Sequence, residues 1–254
     1  MERYWRVFAT GLSFAIFGIF GTILTALLLP VLLLTKETSA RKRFGKILLK
    51  MSFQSFLWGM QFLGVMILQI KNLDRLKSGG RLVLSNHPSL IDAVILIAII
   101  DNPNGIIKSS LFNNPSMYGL AKIAGLMRNI EGPELIRKSI ESISTGENLI
   151  IFPEGTRTKV LGQVTFKQGA AYIAIKGGVN INPILIVTSE PVLRKDHSWY
   201  KVPTKKPVFT VSVLDEVNVA NKVNIHGDLL IEAAELTEYL EEYFTHELRE
   251  HEQS

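Results

Sequence analysis

Cysteine is missing from this 254-residue sequence. Its absence excludes disulfides, thiolate metal sites and a cysteine nucleophile, but it does not decide the compartment, because a chain without thiols is indifferent to redox conditions. Three further signatures are absent: the phosphate-binding Walker loop, the dinucleotide fingerprint and the Gly-x-Ser-x-Gly nucleophile elbow. We therefore expect no cofactor.

Acidic residues are scarce over most of the chain. Residues 226–254 hold nine acidic side chains and one arginine, so residues 1–225 carry 27 basic side chains against 14 acidic ones. A basic body suits an anionic membrane surface, a phosphate-bearing substrate or an acidic carrier protein. Nucleic acid would suit it too, but the basic residues are scattered and no recognition helix, zinc finger or stacking motif accompanies them. We expect no nucleic-acid partner.

Charge is also absent from residues 7–34. This apolar segment is longer than the ~20 residues needed to cross a bilayer core, and it lacks the short apolar region and cleavage site of a signal peptide. Basic residues flank it, and the positive-inside tendency then predicts an inner-membrane protein whose body faces the cytoplasm. A second apolar stretch, residues 47–70, is interrupted by polar residues and predicts a helix in the membrane interface or against the first segment. The alternative is that both stretches form buried core.

The rest of the chain alternates between strands and helices. Strands are predicted at 81–85, 105–108, 148–152, 181–187 and 208–213, and helices at 90–100, 115–124, 133–145 and 168–176. This alternation predicts an α/β fold with a largely parallel central sheet flanked by helices. Apolar residues at helical spacing in the acidic C-terminal segment predict an amphipathic helix docked on the body. Two domains are expected: membrane-associated helices at 1–70 and an α/β domain at 71–254.

Two polar segments follow predicted strands. Residues 86–92 (Asn-His-Pro-Ser-Leu-Ile-Asp) follow the first strand, and residues 153–158 (Pro-Glu-Gly-Thr-Arg-Thr) follow the strand at 148–152. Histidine is suited to take a proton near neutral pH, and a nearby carboxylate can fix its tautomer and stabilise the imidazolium. His87 is therefore the candidate general base and Asp92 its orienting partner. No metal is expected, because two ligands without a third do not make a zinc site.

The other polar residues of these segments suggest anion binding and loop support. Arg157 offers a planar fork that suits phosphate, Gly155 lets the backbone approach an anion closely, and Thr156 can donate a hydroxyl hydrogen bond. Asn86 is expected to brace its loop through the amide. Ser89 is expected to cap the following helix, with substrate contact as the alternative.

Residues 86–92, together with residues 152–157 (Phe-Pro-Glu-Gly-Thr-Arg), resemble the two signature motifs of the lysophospholipid acyltransferase family, which acylates glycerol phosphates. They occur in the family's order and spacing, and the resemblance covers roughly residues 81–213 by motif. It implies a fold of the glycerol-phosphate acyltransferase type. It also implies transfer of an acyl chain from acyl-ACP or acyl-CoA to a hydroxyl of a lysophospholipid or related glycerolipid, with membrane lipids as a further partner. Glu154 is similar to the family's acceptor-binding glutamate.

The region between the motifs follows the family pattern in part. Lys108 matches a lysine that the family has after the second strand. Residues 125–130 match a glycine-led segment that ends in an acceptor-binding arginine, but Arg128 does not stand where the pattern places that arginine, and Asn129 lies near that point. This departure argues against lysophosphatidic acid as the acceptor unless Arg128 makes the same contact. A closer likeness, to acyltransferases of bacterial aryl-polyene pigment clusters, rests on residues 9–14, 86–92 and 199–203.

Two interpretations from other classes stay open. A thioester or lipid ester hydrolase could use the same His-Asp pair to activate water, and its product would be free acid. A non-catalytic membrane scaffold is disfavoured, because a scaffold has no need of His87, Asp92, Glu154 and Arg157 together.

Overall fold

The computed structural model describes residues 2–76, 79–129, 132–159, 162–195, 197–223 and 227–253. Ile130 of the predicted acceptor segment lies outside the described residues. The helices are α1 (Glu2–Leu34), α2 (Ser39–Phe62), α3 (Asp92–Ile99), α4 (Pro115–Ala124), α5 (Pro133–Ser144), α6 (Gly169–Gly177) and α7 (Leu229–Gln253). The strands are β1 (Ile67–Lys71), β2 (Leu82–Ser85), β3 (Pro103–Ile107), β4 (Met127–Arg128), β5 (Asn148–Ile151), β6 (Ile181–Thr188) and β7 (Val208–Val213).

The seven strands form one sheet in the order β1-β7-β6-β2-β5-β3-β4. Every neighbouring pair is parallel except β6 and β7, so β1 and β7 run opposite to the other five. The predicted largely parallel sheet flanked by helices is confirmed. The carboxyl ends of β2, β3, β4, β5 and β6 and the first residues of β1 and β7 share one edge, which we call the site edge.

Helices cover both faces of the sheet, because its central strands are apolar on both sides. In β2 the side chain of Val83 packs with α1 to α4, whereas Leu82 and Leu84 pack with α5 to α7. All four residues of β2 and of β5 are buried. The predicted C-terminal amphipathic helix is α7, and its apolar side chains, among them Leu236 and Phe244, complete the second core.

The second apolar stretch is not one helix. It divides into α2, which ends at Phe62, and β1, which begins at Ile67 and pairs in parallel with β7. The prediction of a helix over residues 47–70 is therefore wrong beyond residue 62. β1 also spans residues 70 and 71, where the sequence suggests the domain boundary.

The first helix packs closely on the α/β body. A Cβ atom at Gly21 would lie 2.3 Å from the carbonyl oxygen of Ser116 in α4, and the Gly119 N–H donates a 3.0 Å hydrogen bond to the hydroxyl of Thr25. Both contacts bring the two helix backbones together. The middle of α1 is thus held against α4.

A buried ion pair fastens α2 to the sheet at the edge opposite the site edge. Lys46, whose side chain is 3% exposed, contacts Glu147, which precedes β5. Glu147 also accepts hydrogen bonds from Ser142 at 2.5 Å and Asn104 at 2.6 Å. Burial lowers the pKa of Lys46. Burial alone would raise the pKa of Glu147, but the hydrogen bonds from Lys46, Ser142 and Asn104 lower it.

Both N-terminal helices keep an apolar face in solvent. Of the helices in the described ranges, α1 alone is long and apolar enough to cross a membrane, by length and composition. Large apolar side chains are exposed along α1 and α2, namely Tyr4, Trp5, Phe8, Ile16, Ile19, Phe20, Ile23, Leu27, Leu33, Leu34, Phe44, Ile47, Met51, Trp58 and Phe62. We call this surface the apolar face. It shows that the two helices are not simply buried core.

We predict that Gly21→Leu destabilises the protein by about 1–3 kcal/mol, because the new side chain meets the backbone of α4. Gly18→Leu is the matched control, since a Cβ at Gly18 has no neighbour within 4 Å. The measurement is thermal unfolding of both variants and the wild type in the same detergent. Equal midpoints for the two variants would contradict the packing of α1 on α4.

Candidate active site

The two motif segments meet at the site edge. Residues 86–92 follow β2 and residues 153–158 follow β5, and these two strands are neighbours in the sheet. The Thr158 N–H donates a 2.7 Å hydrogen bond to the carbonyl oxygen of His87. The topology therefore brings the predicted loops into direct contact.

The imidazole of His87 is fixed on two sides. Its Nδ1 lies 2.8 Å from Oδ2 of Asp92, the first residue of α3, and its ring stacks on Phe152 with 4.2 Å between centroids. The same Oδ2 accepts the Ser89 N–H at 2.6 Å. An ionised Asp92 requires the proton on Nδ1, which leaves the Nε2 lone pair as the basic atom.

The Asp92 carboxylate is fully buried. Burial raises its pKa, while the hydrogen bonds from His87 and Ser89 and the positive charge of Arg157 act in the opposite direction. Its second oxygen, Oδ1, has no hydrogen-bond partner within the described part of the chain. The ionised carboxylate that orients His87 is thus held at a cost in folding free energy.

Glu154 joins the two loops. Its Oε1 accepts the backbone N–H of His87 at 2.9 Å and the hydroxyl of Thr158 at 2.8 Å. Burial raises the pKa of Glu154, and these two hydrogen bonds oppose that rise. Next to it, Gly155 adopts φ 66°, in the left-handed region that favours glycine, and Thr156 lies half-buried in the same turn.

Arg157 binds backbone carbonyls of a third loop. Its Nη1 donates to the carbonyl oxygens of Leu193 at 2.9 Å and Arg194 at 2.8 Å. Leu193 has φ 51°, and its carbonyl oxygen also accepts the Leu90 N–H at 3.0 Å. The carbonyl oxygen of Leu193 therefore joins the loop after β6 to both motif segments.

Lys108 and Arg128 lie farther along the site edge. Lys108 follows β3 and Arg128 ends β4, which are two and three strands away from β2. At about 4.8 Å per strand these positions lie roughly 10 and 14 Å from the β2 loop. Both side chains are exposed, and the Arg128 guanidinium lies 4.4 Å from the ring centre of Phe112. They belong to the same edge as His87 but do not contact it.

Asn86 and Ser89 act within the loop. The Asn86 amide donates to the carbonyl of Ile186 and accepts the N–H of Ile186, both at 2.8 Å, which braces the β2 loop on β6. The capping role predicted for Ser89 is wrong: α3 has no side-chain cap, and the buried Ser89 hydroxyl has no hydrogen-bond partner among the described residues. Asp92 instead accepts the Ser89 backbone N–H, so the orienting carboxylate also closes this turn.

Two contacts of the site are not predicted from the sequence. Phe152 is predicted as the last residue of a strand and the first residue of the second motif, but its stacking on the His87 ring is not. Leu193 contributes a backbone carbonyl, which no residue pattern encodes, and it lies 36 positions from Arg157. Groups of three or more metal-ligating side chains do not occur in the described part of the chain.

Comparisons with known proteins agree with the motif interpretation. Residues 67–187 match the sequence model of a family described as Acyltransferase. A chloroplastic 1-acyl-sn-glycerol-3-phosphate acyltransferase from Brassica napus is 27% identical over 154 residues, which are 55% of this chain and 44% of that protein. The 1-acyl-sn-glycerol-3-phosphate acyltransferase of Helicobacter pylori is 33% identical over 53% of this chain and 61% of its own length. The chain thus spans about half the length of these relatives.

A solved structure shares the whole fold. The crystal structure of the 1-acyl-sn-glycerophosphate acyltransferase PlsC from Thermotoga maritima superposes with a TM-score of 0.76 at 19% identity. The match covers 100% of this chain and 99% of that one, so it includes the two N-terminal helices as well as the sheet.

We predict that Asp92→Asn is at least as stable as the wild type at pH 7. Because burial raises the pKa of Asp92, its ionised form destabilises the fold above that pKa, and the cost disappears as the pH falls through it. The amide carries no such cost, so the variant's unfolding free energy should depend less on pH in this acidic window. Urea unfolding across that window measures this, with the exposed Asp74→Asn as the control. A strongly destabilised Asp92→Asn protein at pH 7 would contradict the assignment.

Proposed function

We propose that this protein is a membrane-bound O-acyltransferase, and the match of residues 67–187 to the Acyltransferase family model supports the proposal. It moves an acyl chain from a thioester, acyl-ACP or acyl-CoA, to a hydroxyl of a lysophospholipid or related glycerolipid. The observation that carries the proposal is the His87 ring held 2.8 Å from a buried carboxylate at the site edge.

In the proposed reaction Nε2 of His87 removes the proton from the acceptor hydroxyl. The oxygen attacks the thioester carbonyl carbon, and Asp92 stabilises the imidazolium that forms. The tetrahedral intermediate collapses with cleavage of the C–S bond, and the imidazolium returns its proton to the leaving thiolate. No enzyme nucleophile takes part, so no acyl-enzyme forms.

The second loop holds the acceptor in this proposal. Arg157 binds an acceptor phosphate through the guanidinium nitrogens other than Nη1, and Gly155 and Thr156 form the turn beside it. Glu154 bonds an acceptor hydroxyl through Oε2, since Oε1 already holds His87 and Thr158. Lys108 and Arg128 extend the positive charge along the site edge.

We propose that residues 1–70 form the membrane-associated part and residues 71–254 the catalytic domain, with β1 joining them. The middle of α1 is packed on α4, so the helix cannot cross a bilayer without losing that contact. The apolar face instead enters one leaflet, as amphipathic interfacial helices do. The basic residues after α1 favour the cytoplasmic side of the inner membrane.

A polyene acyl chain, suggested by the likeness to acyltransferases of pigment clusters, stays a prediction.

The test is an in vitro assay with purified protein, an acyl-thioester and lysophosphatidic acid. We predict that His87→Ala lowers turnover by about 10²–10⁴-fold, the usual contribution of general acid-base catalysis. His246→Ala is the matched control, because that side chain is 70% exposed on α7 and belongs to neither motif segment. Wild-type turnover in His87→Ala would contradict the base assignment. Release of free fatty acid in place of ester would indicate a hydrolase.

A further inference from the structure

All three tryptophans of this chain are exposed, and all three belong to segments that meet at the site edge. Trp5, Trp58 and Trp199 are 50%, 66% and 49% exposed. Trp5 lies in the first turns of α1 and donates its indole N–H to the carbonyl oxygen of Leu63, just after α2. Trp58 lies near the end of α2, and Trp199 lies in the loop between β6 and β7. Tryptophan is highly buried on average in soluble proteins, so the exposure of all three tryptophans needs a physical explanation.

The loop that carries Trp199 is fastened to α1. This loop, residues 189–207, is called the rim loop, and its residue 196 lies outside the described residues. Arg3 donates to the carbonyl oxygen of Val202 at 3.2 Å, and Arg6 donates to that of Pro203 at 3.2 Å. The Trp199 ring lies against Gly11, where a Cβ would be 3.0 Å from it. The rim loop and the first turns of α1 therefore form one surface.

The rim loop combines aromatic side chains with positive charge. The sequence from residue 190 to 207 holds five lysines and arginines against two acids. Its exposed side chains include Trp199, Tyr200, Lys195, Lys201, Lys205 and Lys206. Tryptophan and tyrosine favour the headgroup level of a bilayer, and lysines near an anionic leaflet are attracted to its phosphates.

We propose that the rim loop is a second membrane contact that binds the headgroups of anionic phospholipids. It is continuous with the apolar face, because Tyr4, Trp5 and Phe8 are exposed on the same turns of α1 that hold the loop. This continuity favours a lipid surface over an acidic carrier protein as the occupant. The inference rests on the proposed membrane association, but it does not depend on acyl transfer.

The contact would also bear on the site, because the rim loop touches both motif segments. The Leu193 carbonyl oxygen accepts hydrogen bonds from Arg157 and from the backbone of Leu90. A rim loop seated on headgroups would therefore place the mouth of the site against the leaflet that supplies a lipid acceptor. Arg157 and Leu193 act here as positioning residues.

The test uses full-length protein with Trp199 as the sole tryptophan, made by Trp5→Phe and Trp58→Phe. It is mixed with phosphatidylcholine vesicles and with vesicles that also contain phosphatidylglycerol. On the phosphatidylglycerol vesicles we expect a blue shift of Trp199 emission and quenching of that emission by brominated lipid. Added salt should weaken both effects.

The second measurement is partition onto these vesicles. Adding Lys201→Glu and Lys205→Glu should lower this partition at least about tenfold. The matched control is Lys71→Glu with Lys176→Glu, two exposed lysines outside the rim loop.

Each other outcome overturns a defined statement. If the protein binds vesicles but Trp199 emission stays unshifted, the rim loop is not a lipid contact and the inference is wrong. The same holds if both pairs of charge reversals have equal effects, or if the Lys201 and Lys205 reversals impair only binding of acyl carrier protein. If the wild type binds no vesicle at all, the proposed membrane association itself fails.

Discussion

The Asp92 carboxylate carries a charge in a fully buried position, and one of its oxygens holds both the ring of His87 and the backbone of Ser89. An uncompensated charge there would be costly, so the carboxylate can stay ionised only while these donors remain in place. The imidazole depends on this carboxylate in turn, since within the described ranges no other contact specifies which ring nitrogen keeps the proton. The Asp92 carboxylate therefore both orients the candidate base and holds the fold of the β2 loop.

Contacts with residues outside the β2 loop also hold His87 and Asp92 in place. Glu154 accepts the backbone N–H of His87, Thr158 donates to its carbonyl oxygen, and Asn86 binds the backbone of β6. Strand order makes this possible, because β2 lies between β5 and β6. Arg157 extends the network to the rim loop, which in turn rests on α1. Hydrogen bonds at both ends of the rim loop, joined by its backbone, thus connect the N-terminal helix to the loops that hold the candidate base.

The sequence predicted those parts of the molecule in which local pattern and tertiary structure agree. The buried strands β2, β5, β6 and β7 have apolar runs bounded by turn residues, and the His-Asp spacing pointed to the pair that the structure brings within 2.8 Å. β1 was missed because its five residues continue an apolar stretch that begins in a helix, and β4 because two residues form no pattern. The capping prediction for Ser89 is wrong because a serine before a helix usually caps it through its hydroxyl. Here Asp92, the first residue of α3, accepts the backbone N–H of Ser89 instead. The bonds from Arg157 to backbone carbonyls could not be predicted, since a carbonyl has no residue signature.

The central claim is that Asp92 holds the proton of His87 on Nδ1 and leaves Nε2 as the base. Nitrogen-15 NMR of the labelled imidazole tests it most directly, with the His87 resonances assigned by their loss in His87→Ala. On the neutral ring we expect a protonated Nδ1 and an unprotonated Nε2. A neutral ring protonated on Nε2 instead would contradict it.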